Sequence, residues 1–113
     1  MHELTLAESV LEIVGAAARR AGASRVTGVR LAIGALAHVE SDTLQYCCEV
    51  ASRDTIAADA RFSIERPPGR AWCAACAAEV GLERWGMPCP QCQGFDLSIT
   101  DGDQMRVLDI DIA

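Results

Sequence analysis

A chain of 113 residues suffices for one domain, or for one domain and a small metal-stapled module. Half of it is apolar but only 4% is aromatic, so its core must be aliphatic. The net charge of −6 and a pI near 4.7 argue against a general nucleic-acid binder, which needs a basic face to displace counterions.

The predicted elements run as follows. Leu4 to Ala21 reads as a helix, because Leu6, Val10, Ile13, Val14 and Ala17 recur at helical spacing on one apolar face. Arg19 and Arg20 suit its last turn, and Gly22 is a stop just beyond it. Arg25 to Leu36 alternates, with Val29, Leu31 and Ile33 on one side, as a half-buried strand does; Gly34 marks its bend or end. Ser41 is the expected N-cap of a second helix, roughly Asp42 to Arg53, whose apolar face is Leu44, Cys47 or Cys48, and Ala51. Arg61 to Arg66 alternates again, with Phe62 and Ile64 inward, and Pro67-Pro68-Gly69 forms a boundary. A cysteine-bearing stretch follows, then an Asp101-Gly102-Asp103 turn. Met105 to Ile112 is a last strand carrying Leu108, Ile110 and Ile112. The order predicts an α+β fold: two helices packed on a small three-stranded sheet, with an inserted zinc-ribbon-like module. Residues 1–68 and 99–113 form the α+β domain and residues 69–98 the zinc-binding domain.

The N-terminal stretch carries Glu3, Glu8 and Glu12 ahead of Arg19 and Arg20, the reverse of a secretory signal, and no apolar run is long enough to cross a bilayer. A cytoplasmic, reducing location is therefore expected, where paired C-x-x-C motifs read as a metal site rather than as disulfides. Cys73-x-x-Cys76 and Cys89-x-x-Cys92 supply the four thiolates of a tetrahedral zinc site. A short hairpin fits between Cys76 and Cys89. Pro90 and Gly94 provide the turn chemistry of the second pair, with Gly94 expected at positive φ. Four protein thiolates leave no open position for a catalytic water, and a thioredoxin-like pair would need a βαβ setting that is not there. Trp72, Trp85 and Phe95 could stack on bases, but residues 69–98 carry Arg70 and Arg84 against Glu79, Glu83 and Asp96. These aromatics are expected to cover the ribbon core instead. Cys47 and Cys48 are neighbours on a helix, pointing about 100° apart, and read as small buried hydrophobes.

The N-terminus makes a second metal proposal. The Met1 amine, the His2 backbone nitrogen and the His2 imidazole can hold one ion through fused chelate rings, with Glu3 completing a square plane. Tetragonal N,O geometry favours Ni(II) or Cu(II) over zinc. His38, the other histidine, reads as a loop residue.

Met1-His2-Glu3-Leu4 opening a helix, Ile33-Gly34-Ala35-Leu36…Val39-Glu40 at a strand end, and the inserted C-x-x-C…C-P-x-C together resemble the HypA/HybF nickel metallochaperones over essentially the whole chain. The resemblance implies a nickel-binding α+β domain bearing a zinc domain. It implies a nickel site of Met1, His2 and Glu3, with Glu40 as an additional contributor, and zinc on Cys73, Cys76, Cys89 and Cys92. It further implies a non-enzymatic carrier with Ni(2+) as cargo and Zn(2+) as structural ion. A HypB-type GTPase and the [NiFe] hydrogenase large subunit or its maturation complex are the implied partners. Histidines that flank the zinc cysteines in some relatives are absent here, where Ala74, Ala75, Pro90, Gln91 and Gln93 stand. Two other classes compete: a zinc-ribbon adaptor that only binds proteins, with Met-His-Glu incidental, and a thiol oxidoreductase. No catalytic constellation is visible, since neither histidine has a nucleophile partner.

Overall fold

A computed structural model of the chain describes residues 2–113. They divide into two compact units. The first runs to Ala32 and continues through Val39–Glu65 and Arg106–Ala113; the second comprises Ile33–His38 and Arg66–Met105.

The first unit contains both helices. α1 (Glu3–Arg20) buries Ala7, Val10, Val14 and Ala18, a stripe of mostly small residues that lets α2 approach closely. Ile13, expected on that stripe, is 51% exposed: it lies beside the i, i+3, i+7, i+11 row that the packing selects. α1 ends as read. Gly22 takes φ +69, and the amides of Gly22 and Ala23 donate to the carbonyls of Arg19 and Ala18. α2 (Ser41–Ala51) buries Leu44 and Cys48, with Cys47 half-buried. Its N-cap is Glu40, not Ser41. The Glu40 carboxylate reaches forward and accepts from the Thr43 amide at 3.1 Å, so Ser41 becomes the first helical residue.

Three strands form the first sheet, in the order β2 (Arg61–Glu65), β1 (Val26–Ile33), β6 (Met105–Ile112). β1 and β2 are parallel, with Val29 opposite Phe62 and Leu31 opposite Ile64. β6 runs antiparallel to β1: Ala113 donates to the Arg25 carbonyl, Thr27 Oγ1 to the Asp111 carbonyl, and Arg30 to Asp109. As the central strand β1 is buried at Val26, Val29, Leu31, Ala32 and Ile33, a denser pattern than simple alternation. The outer strand β6 is less covered, and Ile112 is 44% exposed. The Gln45 amide donates to the Phe62 carbonyl at 2.7 Å and fixes α2 on β2.

The second unit is a small sheet of its own, β4 (Ala78–Leu82), β3 (Gly69–Cys73), β5 (Leu97–Asp101), antiparallel throughout. Its core is Leu36, Ala71, Cys73, Val80, Leu82 and Cys89, with Cys76, Met87, Leu97 and Ile99 packed against it. The hairpin turns between Cys73 and Ala78, not between Cys76 and Cys89, because β4 pairs back on β3 directly after the first cysteine pair. Trp72, Trp85 and Phe95 do not cover this core; they are 45%, 52% and 70% exposed. Trp72 alternates with the inward Ala71 and Cys73 and so faces out, between Glu79 and Ser98. The Ile33–His38 segment joins the unit through backbone bonds from Ala35 to Pro67 and from Leu36 to Gly102, each 2.8 Å. Glycine is required where it crosses. A Cβ on Gly34 would lie 2.0 Å from the Gly102 carbonyl oxygen.

One charge cluster spans the first sheet. Arg30 on β1 donates to Glu65 on β2 at 2.6 Å and twice to Asp109 on β6, at 2.6 Å and 3.1 Å. The guanidinium holds the Asp109 carboxyl below its ordinary 3.8. A carboxyl lowered by folding adds stability above its unfolded value and loses it as pH falls through the folded one. Arg30→Met should therefore melt below the parent at pH 7, with the gap closing as pH falls from about 4 towards about 2. Parallel thermal melts check this; a gap constant with pH would assign the loss to packing.

Candidate metal centre

Two turns bring the four cysteines together. In the first, Cys73 closes β3, Ala77 takes φ +52, and the Cys76 amide donates to Cys73 Sγ at 3.5 Å. In the second, the Cys89 amide donates to the Gly94 carbonyl and the Gln93 amide to the Cys89 carbonyl. Gln91 and Gly94 then aim their amides at Cys89 Sγ and Cys92 Sγ, both at 3.4 Å. The residue at positive φ is Gln93, at +64, not Gly94. The turn places its strained position one residue earlier, and Gly94 serves as the amide donor. The Ala74 amide donates to the Asp96 carbonyl at 3.0 Å, which ties the two turns side by side.

All four Sγ atoms lie within 4.8 Å of one another. Cys73 and Cys92 are 3.6 Å apart, Cys76 and Cys89 3.9 Å. Four sulfurs about 2.3 Å from a tetrahedral ion stand about 3.8 Å from each other, so these spacings fit zinc. The amides that point at three of the sulfurs stabilise thiolate charge. As bare thiols the group is in conflict. Hydrogen bonding to Cys92, with burial, pushes the Cys76 thiol up to about 12, while the Cys92 amide draws Cys89 down to about 7. A divalent cation removes that conflict by accepting all four as thiolates. The site is lopsided: Cys73 and Cys89 are fully buried, Cys76 is half-buried and Cys92 is exposed. Cys48 stands outside it on α2, where burial pushes its thiol up to about 11.

The N-terminal residues gather elsewhere, within the first unit. Met1 lies outside the described residues. His2 is exposed and caps α1, its carbonyl accepting from the Leu6 amide at 2.8 Å. The next residue, Glu3, accepts the Glu40 amide on its carboxylate at 3.2 Å, and this contact holds the Glu3 carboxyl below the usual range. The starts of α1 and α2 thus meet, with His2, Glu3 and Glu40 at the junction. Thr43 belongs to it too: its amide and hydroxyl both donate to Glu40 Oε1. Thr43 was not singled out in the sequence. Its place three residues after Glu40, the N-cap to N3 spacing, is the signal that would have found it. His38 is an exposed loop residue, as read.

Comparisons with known proteins agree on one family. The family model described as hydrogenase/urease nickel incorporation, metallochaperone, hypA matches residues 1–112. The hydrogenase maturation factor HypA of Rhodopseudomonas palustris (strain BisA53) is 46% identical over 112 residues, 99% of each chain. The hydrogenase maturation factor HypA 2 of Bradyrhizobium diazoefficiens is 41% identical over the same span, again 99% of each chain. Among solved structures, the solution structure of the Ni metallochaperone HypA from Helicobacter pylori matches with a TM-score of 0.71 at 20% identity, covering 99% of this chain and 97% of that one. A second solution structure of HypA protein matches at 0.73, also at 20% identity, covering 100% and 97%. At that identity the two structures establish the fold.

Cys89 is sealed in the ribbon core, so Cys89→Ser tests the tetrathiolate directly. The variant should lose its equivalent of zinc and the amide-exchange protection of residues 66–105, while α1 and α2 keep theirs. Metal analysis with hydrogen exchange measures both. Retained zinc and an unchanged second unit would remove Cys89 from the ligand set.

Proposed function

The chain belongs to the HypA family, and from that premise we propose that it is a nickel metallochaperone that binds Ni(II) at its N-terminus and passes it, with a partner GTPase of the HypB type, to [NiFe] hydrogenase. The observation that carries the reading is the Glu3–Glu40 hydrogen bond. It steadies the backbone on which His2 sits and sets two carboxylate-bearing residues beside it. The Met1 amine, the His2 amide nitrogen and imidazole, and the Glu3 backbone nitrogen would supply the plane. Glu3 and Glu40 would supply negative charge around it. Two helix starts converge there, and their dipoles oppose a protonated amine, which favours the ligand form.

Zinc, in this reading, is held by Cys73, Cys76, Cys89 and Cys92 and stays, while nickel is cargo. The donor sets separate the two ions. Four thiolates close the first shell of zinc, and an amine–imidazole chelate would present nickel beside the exposed His2, from which a recipient could take it. No catalytic step is needed, because transfer is an exchange of ligands. The domain division that goes with this reading is an α+β nickel domain of residues 1–68 and 99–113 and a zinc domain of residues 69–98, although the compact unit that bears the cysteines extends further, over Ile33–His38 and Arg66–Met105. A cytoplasmic setting, where a hydrogenase large subunit matures, accords with it; among the described residues no helix is long and apolar enough to cross a membrane.

His2→Ala should abolish specific nickel binding and leave zinc content and fold intact. Equilibrium titration of zinc-loaded protein with Ni(II) checks this, and unchanged affinity would defeat the N-terminal site. Nickel affinity should also fall steeply between about pH 7.5 and about pH 5.5, where α-amines and imidazoles take up protons and cease to be ligands. Equilibrium dialysis at stepped pH, with both metals assayed, measures this. An affinity flat over that interval would assign nickel to carboxylates or thiolates instead.

A further inference from the structure

The four sulfurs differ in access and in spacing, and together these differences single out one modification site. We propose that Cys92 is the residue at which peroxide-class oxidants attack the zinc centre, and that oxidation proceeds to a Cys73–Cys92 disulfide that links the two turns. The proposal rests on the zinc reading of the four cysteines.

Access selects Cys92. Cys73 and Cys89 are fully buried and Cys76 is half-buried, whereas Cys92 is exposed on the Cys89–Gly94 turn. Outside the centre Cys48 is sealed, and burial holds it as a thiol, the unreactive form; Cys47 beside it is half-buried. A zinc-bound sulfur, by contrast, is already a thiolate. Spacing selects the partner. Cys76 also neighbours Cys92, but the close pairs are Cys73 with Cys92, at 3.6 Å, and Cys76 with Cys89, at 3.9 Å. Both close pairs run between turns rather than within a C-x-x-C. A disulfide needs about 2.05 Å between sulfurs, so a shift of under 2 Å makes the bond.

The chemistry balances with the oxidant named. The Cys92 thiolate attacks one peroxide oxygen, the O–O bond breaks, hydroxide leaves and a sulfenic acid forms. The Cys73 thiolate then attacks that sulfur, the S–O bond breaks, a second hydroxide leaves and the S–S bond forms. Two thiolates lose two electrons and the peroxide gains them. Zinc held by the four thiolates would be left with two protein ligands and would be released. The crosslink then joins β3 to the second turn as a bound ion would, so the unit exchanges one staple for another and a thiol reductant with zinc restores it.

Trypsin reads this topology without ambiguity. All ten basic residues are arginines, and Arg70, Arg84 and Arg106 bound one peptide with Cys73 and Cys76 and a second with Cys89 and Cys92. Zinc-loaded full-length protein is treated with limiting hydrogen peroxide, with and without a sulfenic-acid trap, quenched by alkylation, and mapped by mass spectrometry while a chromogenic chelator follows zinc. The trap should label Cys92 first. Without it, the two peptides should appear joined through Cys73 and Cys92, with one zinc released per crosslink and reversal by reductant and zinc. First labelling at Cys76 or Cys47, or a disulfide closed within either peptide, would overturn the proposal. Protein that carries no zinc at the outset would count against the zinc reading, and its peptide map would still report which cysteine oxidises first.

Discussion

Four cysteine sulfurs lie within 4.8 Å of one another, a cluster built to hold one metal ion. The second unit is organised around that constraint. Two of its six core residues, Cys73 and Cys89, belong to that cluster, and a third is an alanine. Leu36, Val80 and Leu82 each contribute roughly 1.5–3 kcal/mol on burial. Zinc in a small cysteine module contributes on the order of 10–16 kcal/mol. A zinc ion bound there would outweigh the aliphatic core, and β3, β4 and β5 would need to supply only enough pairing to aim the two turns. This is also why three large aromatics can stay on the surface of so small a unit.

The first unit obeys a different rule. Its parts are held by helix ends and strand faces, and its polar junctions use each carboxylate for more than one purpose. Glu3 joins the start of α1 to the amide of Glu40, and Glu40 in turn caps α2 through Thr43. Residues that the family resemblance connects with nickel are thus also the residues that fix where two helices begin. Loss of either carboxylate at this junction therefore acts on helix geometry.

Local features were legible in the sequence. The period of α1, the glycine stop at Gly22, the strand character of β1 and the paired cysteines each depend on neighbours a few residues apart. What escaped depends on distant partners. The parallel pairing of β1 with β2 brings Val29 to Phe62, a contact no local pattern encodes. β5 was invisible because Leu97–Asp101 is half polar and becomes a strand only by pairing with β3. Ile13 was misplaced because small residues, not large ones, line the side of α1 that packs. Glu40 was passed over as a cap because glutamate is long for the task; the side chain folds back far enough to do it. At the metal centre the cysteines were plain from spacing, whereas the left-handed Gln93 was not, since a glycine stands beside it.

The position of the second unit in the chain has a consequence for how the protein is made. β6 pairs with β1, yet Arg66–Met105 is translated between β2 and β6. The first sheet must wait at two strands, with one side of its central strand uncovered, until the ribosome has delivered the cysteine unit and the last eight-residue strand. Non-local closures of this kind are slow, and waiting edges invite wrong pairing. Metal capture by the cysteines would pin much of the intervening segment, so that β6 is tethered by a short span instead of a long flexible loop. In that sense a metal supplied during synthesis would govern the quality of the sheet as well as of the ribbon.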